Sequence, residues 1–155
     1  MMSSVISLYN RLVSFASNRW IEGLALLFTR VALAGIFWRS YKTKVEEGTW
    51  LQISDVQYFL FENEFSGLPI PSDIAVPMAT YAEFLFPVLL VVGLATRFSA
   101  AALMVMALVI QFFVFPTTDH FFGWAIIPLA MGAILIARGA GLFSLDAIVA
   151  KVTGK

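Results

Sequence analysis

Four stretches of this chain are apolar for long enough to carry a helix across a hydrocarbon core, which takes about 17–25 residues. They run roughly over residues 21–41, 74–95, 98–115 and 121–137. The first is interrupted by Arg30 and closes on Trp38, Arg39 and Tyr41. The second carries Glu83 and Pro87, the third one amide at Gln111, and the fourth Pro128 and no charge. Ahead of them, Val5, Ile6, Tyr9, Leu12, Val13 and Ala16 recur at helical spacing with polar residues largely between. This predicts an amphipathic helix within residues 1–20, lying on the inner membrane surface; a frayed tail is the alternative. The same segment lacks the charged start, clean apolar run and small-residue cleavage site of a signal peptide.

The connections are unequal. Ala95, Thr96 and Arg97 leave room only for a tight turn, and residues 116–120 form a second short link behind Pro116, which stops the preceding helix. Short links place sequential spans side by side, in an up-down bundle. Residues 43–72 are too many for a plain connector. In them Trp50, Leu51, Ile53, Val56, Phe59, Leu60 and Phe65 recur at three- and four-residue steps. This predicts a re-entrant or surface helix that caps the outer face and ends at Gly67, with residues 68–71 extended. The expected architecture is therefore all-α: a polytopic four-helix membrane bundle with a helical outer loop between its first and second spans. It takes in residues 21–149 and leaves 150–155 as a short cytoplasmic tail.

Composition agrees. Hydrophobic residues make up 60% of the chain, against about 45–50% in soluble domains. The formal net charge is zero, which leaves no large basic surface for nucleic acid. With no cysteine and one histidine, the chain cannot build a disulfide, a thiol nucleophile or an iron–sulfur cluster. Redox chemistry would have to use a partner subunit, a soluble carrier or a bound quinone. The acidic loop could offer only oxygen ligands beside His120, so no metal site is expected. Arg11, Arg19, Arg97, Arg138, Lys151 and Lys155 gather at one end of the spans and Arg39, Lys42 and Lys44 at the other. By the positive-inside rule both termini are cytoplasmic in an inner-membrane protein.

Arg30 and Glu83 are the first candidates for function. An ionisable group at mid-bilayer costs about 2.5–3.5 kcal/mol on insertion scales, so it needs a partner or a task. Counted from the expected span ends, Arg30 lies about 13 Å and Glu83 about 16 Å from the inner boundary. The two are expected to meet, either as an ion pair locking two helices or as a carboxylate that accepts protons or orients a ligand. Gln111 could join helices or bond a quinone carbonyl. His120, beside Asp119 and an aromatic belt, is either interfacial or a surface proton relay. Arg39 and Tyr81 complete the candidate ligand contacts. Pro87 and Pro128 are expected to kink their helices, and a cavity between helices would lie there.

Several of these residues fall in a familiar order. Arg30 with Gly35, Phe37 and Lys44; Gly67-Leu68-Pro69 with Pro71, Ala75 and Glu83; Gly93-Leu94-Ala95-Thr96-Arg97; His120; and Gly139-Ala140-Gly141-Leu142-Phe143-Ser144-Leu145-Asp146 together resemble DoxX-family membrane proteins over roughly residues 24–149. The resemblance implies a four-helix membrane subunit. Some members are described as small subunits of thiosulfate:quinone oxidoreductase, others as anchors in oxidative-stress complexes. It carries no firmly shared catalytic residues. Two functions are then expected to compete: a membrane subunit of a quinone-linked redox complex, not active alone, and a non-enzymatic anchor that recruits a metal- or stress-response partner. A protein partner and the lipid bilayer are implied in both, and a homo-oligomer is compatible with either. A small transporter would need such an oligomer, four spans being few.

Overall fold

A computed structural model describes residues 2–154, so Met1 and Lys155, the latter counted among the cytoplasmic cations, lie outside the described residues. The four apolar stretches form helices Arg19–Lys42, Ser72–Val92, Thr96–Val114 and Thr118–Arg138, each long and apolar enough to cross a membrane. In chain order the helices are α1 (Met2–Ala16), α2 (Arg19–Lys42), α3 (Asp55–Asn63), α4 (Ser72–Val92), α5 (Thr96–Val109), α6 (Thr118–His120), α7 (Ile126–Arg138) and α8 (Leu145–Thr153). Two π-helical turns, Ile110–Val114 and Phe121–Ala125, extend α5 and join α6 to α7. The chain is an all-α, multi-pass membrane protein. We call the end bearing α3 the loop end and the end bearing α1 and α8 the terminal end.

The spans pack in a closed ring, α2 on α4, α4 on α5, α5 on α7 and α7 back on α2. Small residues allow the close approaches: Ala100 and Ala107 on α5 are fully buried, and Gly132 on α7 faces Met104 and the Ala100 carbonyl. Backbones that meet at small side chains gain packing contacts that lipid cannot supply. Leu33, Phe37, Leu90, Leu103 and Leu135 fill the centre. α1 touches little but α2, and its apolar side chains, Tyr9 and Leu12 among them, are exposed.

The loop between α2 and α4 is only partly helical. α3 ends at Asn63, before the expected Gly67. Ahead of it, Val45 pairs with Ile53 in a short antiparallel bridge around a turn at Gly48, whose φ of 80° suits glycine. Trp50 and Leu51 belong to that turn, and their helical spacing was coincidental. The link from α3 folds across the end of α5, where a Cβ on Gly67 would sit 2.9 Å from the Phe113 carbonyl.

The terminal end is closed by a clasp. α4 stops at Gly93, which adopts φ 71° while Gly93 and Leu94 donate backbone N–H groups to Leu90 and Leu89. That is the paired bonding of a Schellman motif. Arg30 reaches this helix end from α2 and donates Nη1 to the carbonyls of Leu90 (3.0 Å) and Val91 (3.3 Å) and Nη2 to that of Phe143. Asp146 does the complementary work across the turn, accepting from the N–H groups of Ala95 (2.8 Å) and Thr96 (2.9 Å) at the start of α5. A cation on a helix C-terminus and an anion on an N-terminus both oppose the local helix dipole. The Asp146 N–H bonds the Gly93 carbonyl (2.9 Å), so the C-terminal segment is stitched to the turn it caps.

Candidate functional site

Arg30 and Glu83 are both buried, at 0% and 1% exposure, but they do not meet. Side chains on a helix lean toward its N-terminus. Because α2 and α4 run antiparallel, Arg30 leans to the terminal end and Glu83 to the loop end. Glu83 instead pairs with Lys44, Oε2 to Nζ 2.8 Å, and accepts from the Ser40 hydroxyl at 3.1 Å. Ser40 lies about 15 Å beyond Arg30 along α2. The expected mid-depth pair is therefore two separate arrangements, one that closes the terminal end and one that is open to ligand.

Lys44, named above for the family motif and the loop-end charge, is the partner that the sequence did not assign to Glu83. It follows the end of α2 and stands four positions after Ser40, so both side chains lie over one face of the helix as it runs out. Its ammonium donates to Glu83 and to the Ser40 hydroxyl (2.8 Å) and reaches the Ser40 carbonyl only at 3.5 Å, so the weakest held of its three N–H groups is the one a ligand can take over. A further acceptor arises from sequence alone. Pro87 has no N–H to bond the carbonyl four residues earlier, so the backbone oxygen of Glu83, which points along α4 away from its carboxylate, loses its helical donor.

These groups border a cavity of about 1280 Å³ between α2, α4, α5 and α7, roofed by α3. Its walls are mostly apolar, from Ile36, Phe86, Met106 and Phe61 among others, and its polar groups include Arg39, Lys44, Gln57 and His120. Concave apolar space with a few placed polar groups is the usual form of a small-molecule site. His120 sits between Phe115 (4.9 Å) and Trp124 (5.2 Å). Gln111 donates Nε2 to the Thr117 carbonyl (3.0 Å) and presents its oxygen to His120 Nδ1 at 2.7 Å. Nδ1 is then the donor, and in the neutral ring Nε2 is left as an acceptor lone pair. Gln111 lies in the first π-turn and His120 immediately precedes the second; such turns widen a helix and recur beside functional sites.

The sequence candidates thus divide. Glu83, Arg39 and His120 line the cavity, and Gln111 orients His120 from behind. Tyr81 faces outward on α4, its hydroxyl 3.4 Å from the Leu51 carbonyl, and Arg30 belongs to the clasp. Among the described residues no three histidine, aspartate or glutamate side chains gather as a metal-ligand set.

An uncharacterised protein of Haemophilus influenzae is 33% identical over 137 residues, which cover 84% of this chain and 87% of the relative. No solved structure matches the chain. The family model for DoxX matches residues 25–116, from the second turn of α2 to just past the first π-turn, a stretch that carries Arg30, Lys44, Glu83 and Gln111 alike: the chain belongs to the DoxX family.

Proposed function

We propose that this protein is the membrane subunit of a redox complex and binds a quinone in the loop-end cavity. The observation that carries the reading is the Lys44–Glu83–Ser40 group set into the wall of an otherwise largely apolar chamber. The polar groups suit a carbonyl-bearing ring: Lys44 offers a charged N–H, Nε2 of a neutral His120 offers an acceptor for a hydroxyl group, and Trp124 and Phe61 supply ring faces. A quinone held there would supply two-electron, two-proton carrier chemistry. Glu83 holds the Lys44 ammonium in place, and the electrons come from a partner subunit.

The test uses the tryptophan in the wall. A short-chain benzoquinone titrated into the detergent-solubilised protein is expected to quench Trp124 saturably, well beyond its effect in empty micelles with free tryptophan. Removing one member of a buried ion pair strands the other at about 3–5 kcal/mol, so the informative variant removes both. Lys44→Met with Glu83→Gln is expected to stay folded and bind about tenfold more weakly, the equivalent of one charge-assisted hydrogen bond. Quenching that never saturates would remove the quinone reading.

The same reading places both termini in the cytoplasm, because the terminal end holds the larger share of lysines and arginines and one loop-end cation, Lys44, is consumed by Glu83. The chain has no cysteine of its own, so single cysteines report cleanly. In intact cells a membrane-impermeant maleimide is expected to label Ser66→Cys and to leave Ser17→Cys unlabelled until lysis. The reverse pattern would invert the topology.

A further inference from the structure

The chamber is not closed on all sides. α4 and α5 are tied at the terminal end by the Gly93–Ala95 turn and its clasp, and Phe86 meets Phe98 in the half near that turn (ring centroids 5.8 Å). Toward the loop end, Met78 and Ala82 on α4 and Ala102 and Val105 on α5 line the cavity, and Met78 and Val105 are 58% and 60% exposed. Met78, Ala82 and Phe86 stand four residues apart and so form one stripe along α4. These three residues also border a second depression of about 530 Å³ on the outward face of the helix, with Ile74, Tyr81 and Leu85. A ridge one side chain wide therefore separates the inner chamber from a lipid-facing groove, and at its centre the ridge is a single methyl group.

We propose that the gap between α4 and α5 is a lateral entrance from the membrane, and that the ligand is a lipid-dissolved molecule with a polar head and a long apolar chain. Its head lies at the Lys44–Glu83–Ser40 group, and its chain passes over Ala82 into the groove along α4. The inference rests on the ligand site proposed above but not on the head group being a quinone. The chain gains little by leaving lipid for an apolar groove, since hydrocarbon already solvates it. Its value is to concentrate the molecule in the bilayer and present the head at the right depth. Affinity then resides in the polar group, and the gap sets which chains pass.

Narrowing the gap separates the two. A head group without a chain fits wholly inside, so its equilibrium affinity is insensitive to a blocked entrance, whereas a long-chain ligand must keep the gap open while bound. In nanodiscs, Ala82→Phe is expected to weaken a long-chain isoprenoid quinone at least tenfold more than it weakens a chainless benzoquinone; Val105→Phe on the facing helix should do the same. Equal losses for both ligands, or no loss for the long chain, would overturn the entrance. A readout that needs no quinone keeps the question open to decision if neither quinone binds. With Trp20, Trp38 and Trp50 changed to Phe, phospholipids brominated along their acyl chains are expected to quench Trp124, and Ala82→Phe to relieve that quenching at least twofold. Quenching that is absent, or indifferent to Ala82→Phe, would also overturn the entrance.

Discussion

Replacing Arg30 with alanine is expected to cost about 3–5 kcal/mol of stability, read as a lowered midpoint for unfolding of the purified protein in mixed micelles with increasing SDS. The carbonyls of Val91 and Phe143 would lose the guanidinium outright and that of Leu90 would keep only the Gly93 N–H, and each group left without its charged donor costs about 1–3 kcal/mol. The Asp146 carboxylate would lose the positive charge that attracts it across the turn. Arg30→Lys should fall between, because a single ammonium cannot fork to carbonyls on α4 and on the C-terminal segment at once. Neither variant touches the Lys44–Glu83 group, so ligand affinity of the folded fraction is expected to change less than about twofold. A midpoint that moves no more than for a surface substitution would mean that Arg30 is not holding the terminal end together.

Gly93→Ala is the second large effect, and it acts on the same clasp from the other side. A φ of 71° already disfavours any residue with a Cβ, at about 1–2 kcal/mol. The added methyl would also run into Arg30 Nη1 and lie 2.5 Å from the Ser144 Cβ. The guanidinium must withdraw or the C-terminal segment must lift, and overpacking of this kind costs about 1–3 kcal/mol more. The expected total is about 3 kcal/mol in the same unfolding measurement. Because part of that loss is the displacement of Arg30, the double variant Arg30→Ala with Gly93→Ala should lose less than the sum of the singles. Strict additivity would show that the two residues act independently.

The span helices were legible because a long apolar run admits little else in a bilayer, where backbone groups must be bonded within the segment. What the chain did not disclose was where its charges point. Depth counted from apolar boundaries put Arg30 and Glu83 level, but in antiparallel helices their side chains lean apart. Arg30 also finds backbone carbonyls, and a search for opposite charges cannot see those. Lys44 falls outside any apolar window, so its return to Glu83 depends on how the chain folds back at the Val45–Ile53 bridge. Gln111 and His120 each stood out as polar positions. Their pairing depends on the broken helix between them, and nothing in the residue pattern announces a π-turn.

Two helices fastened at one tip and parted at the other behave like a pair of tweezers. The contacts that close the fold sit at the pivot, in Arg30, Gly93 and Asp146, far from the parted ends where the ligand proposed above would lie. Residues along the jaws can therefore be exchanged for bulkier or slimmer ones at small cost to the whole. On the ligand site proposed above, exchanges at the parted ends alter what is held while the pivot of Arg30, Gly93 and Asp146 stays the same.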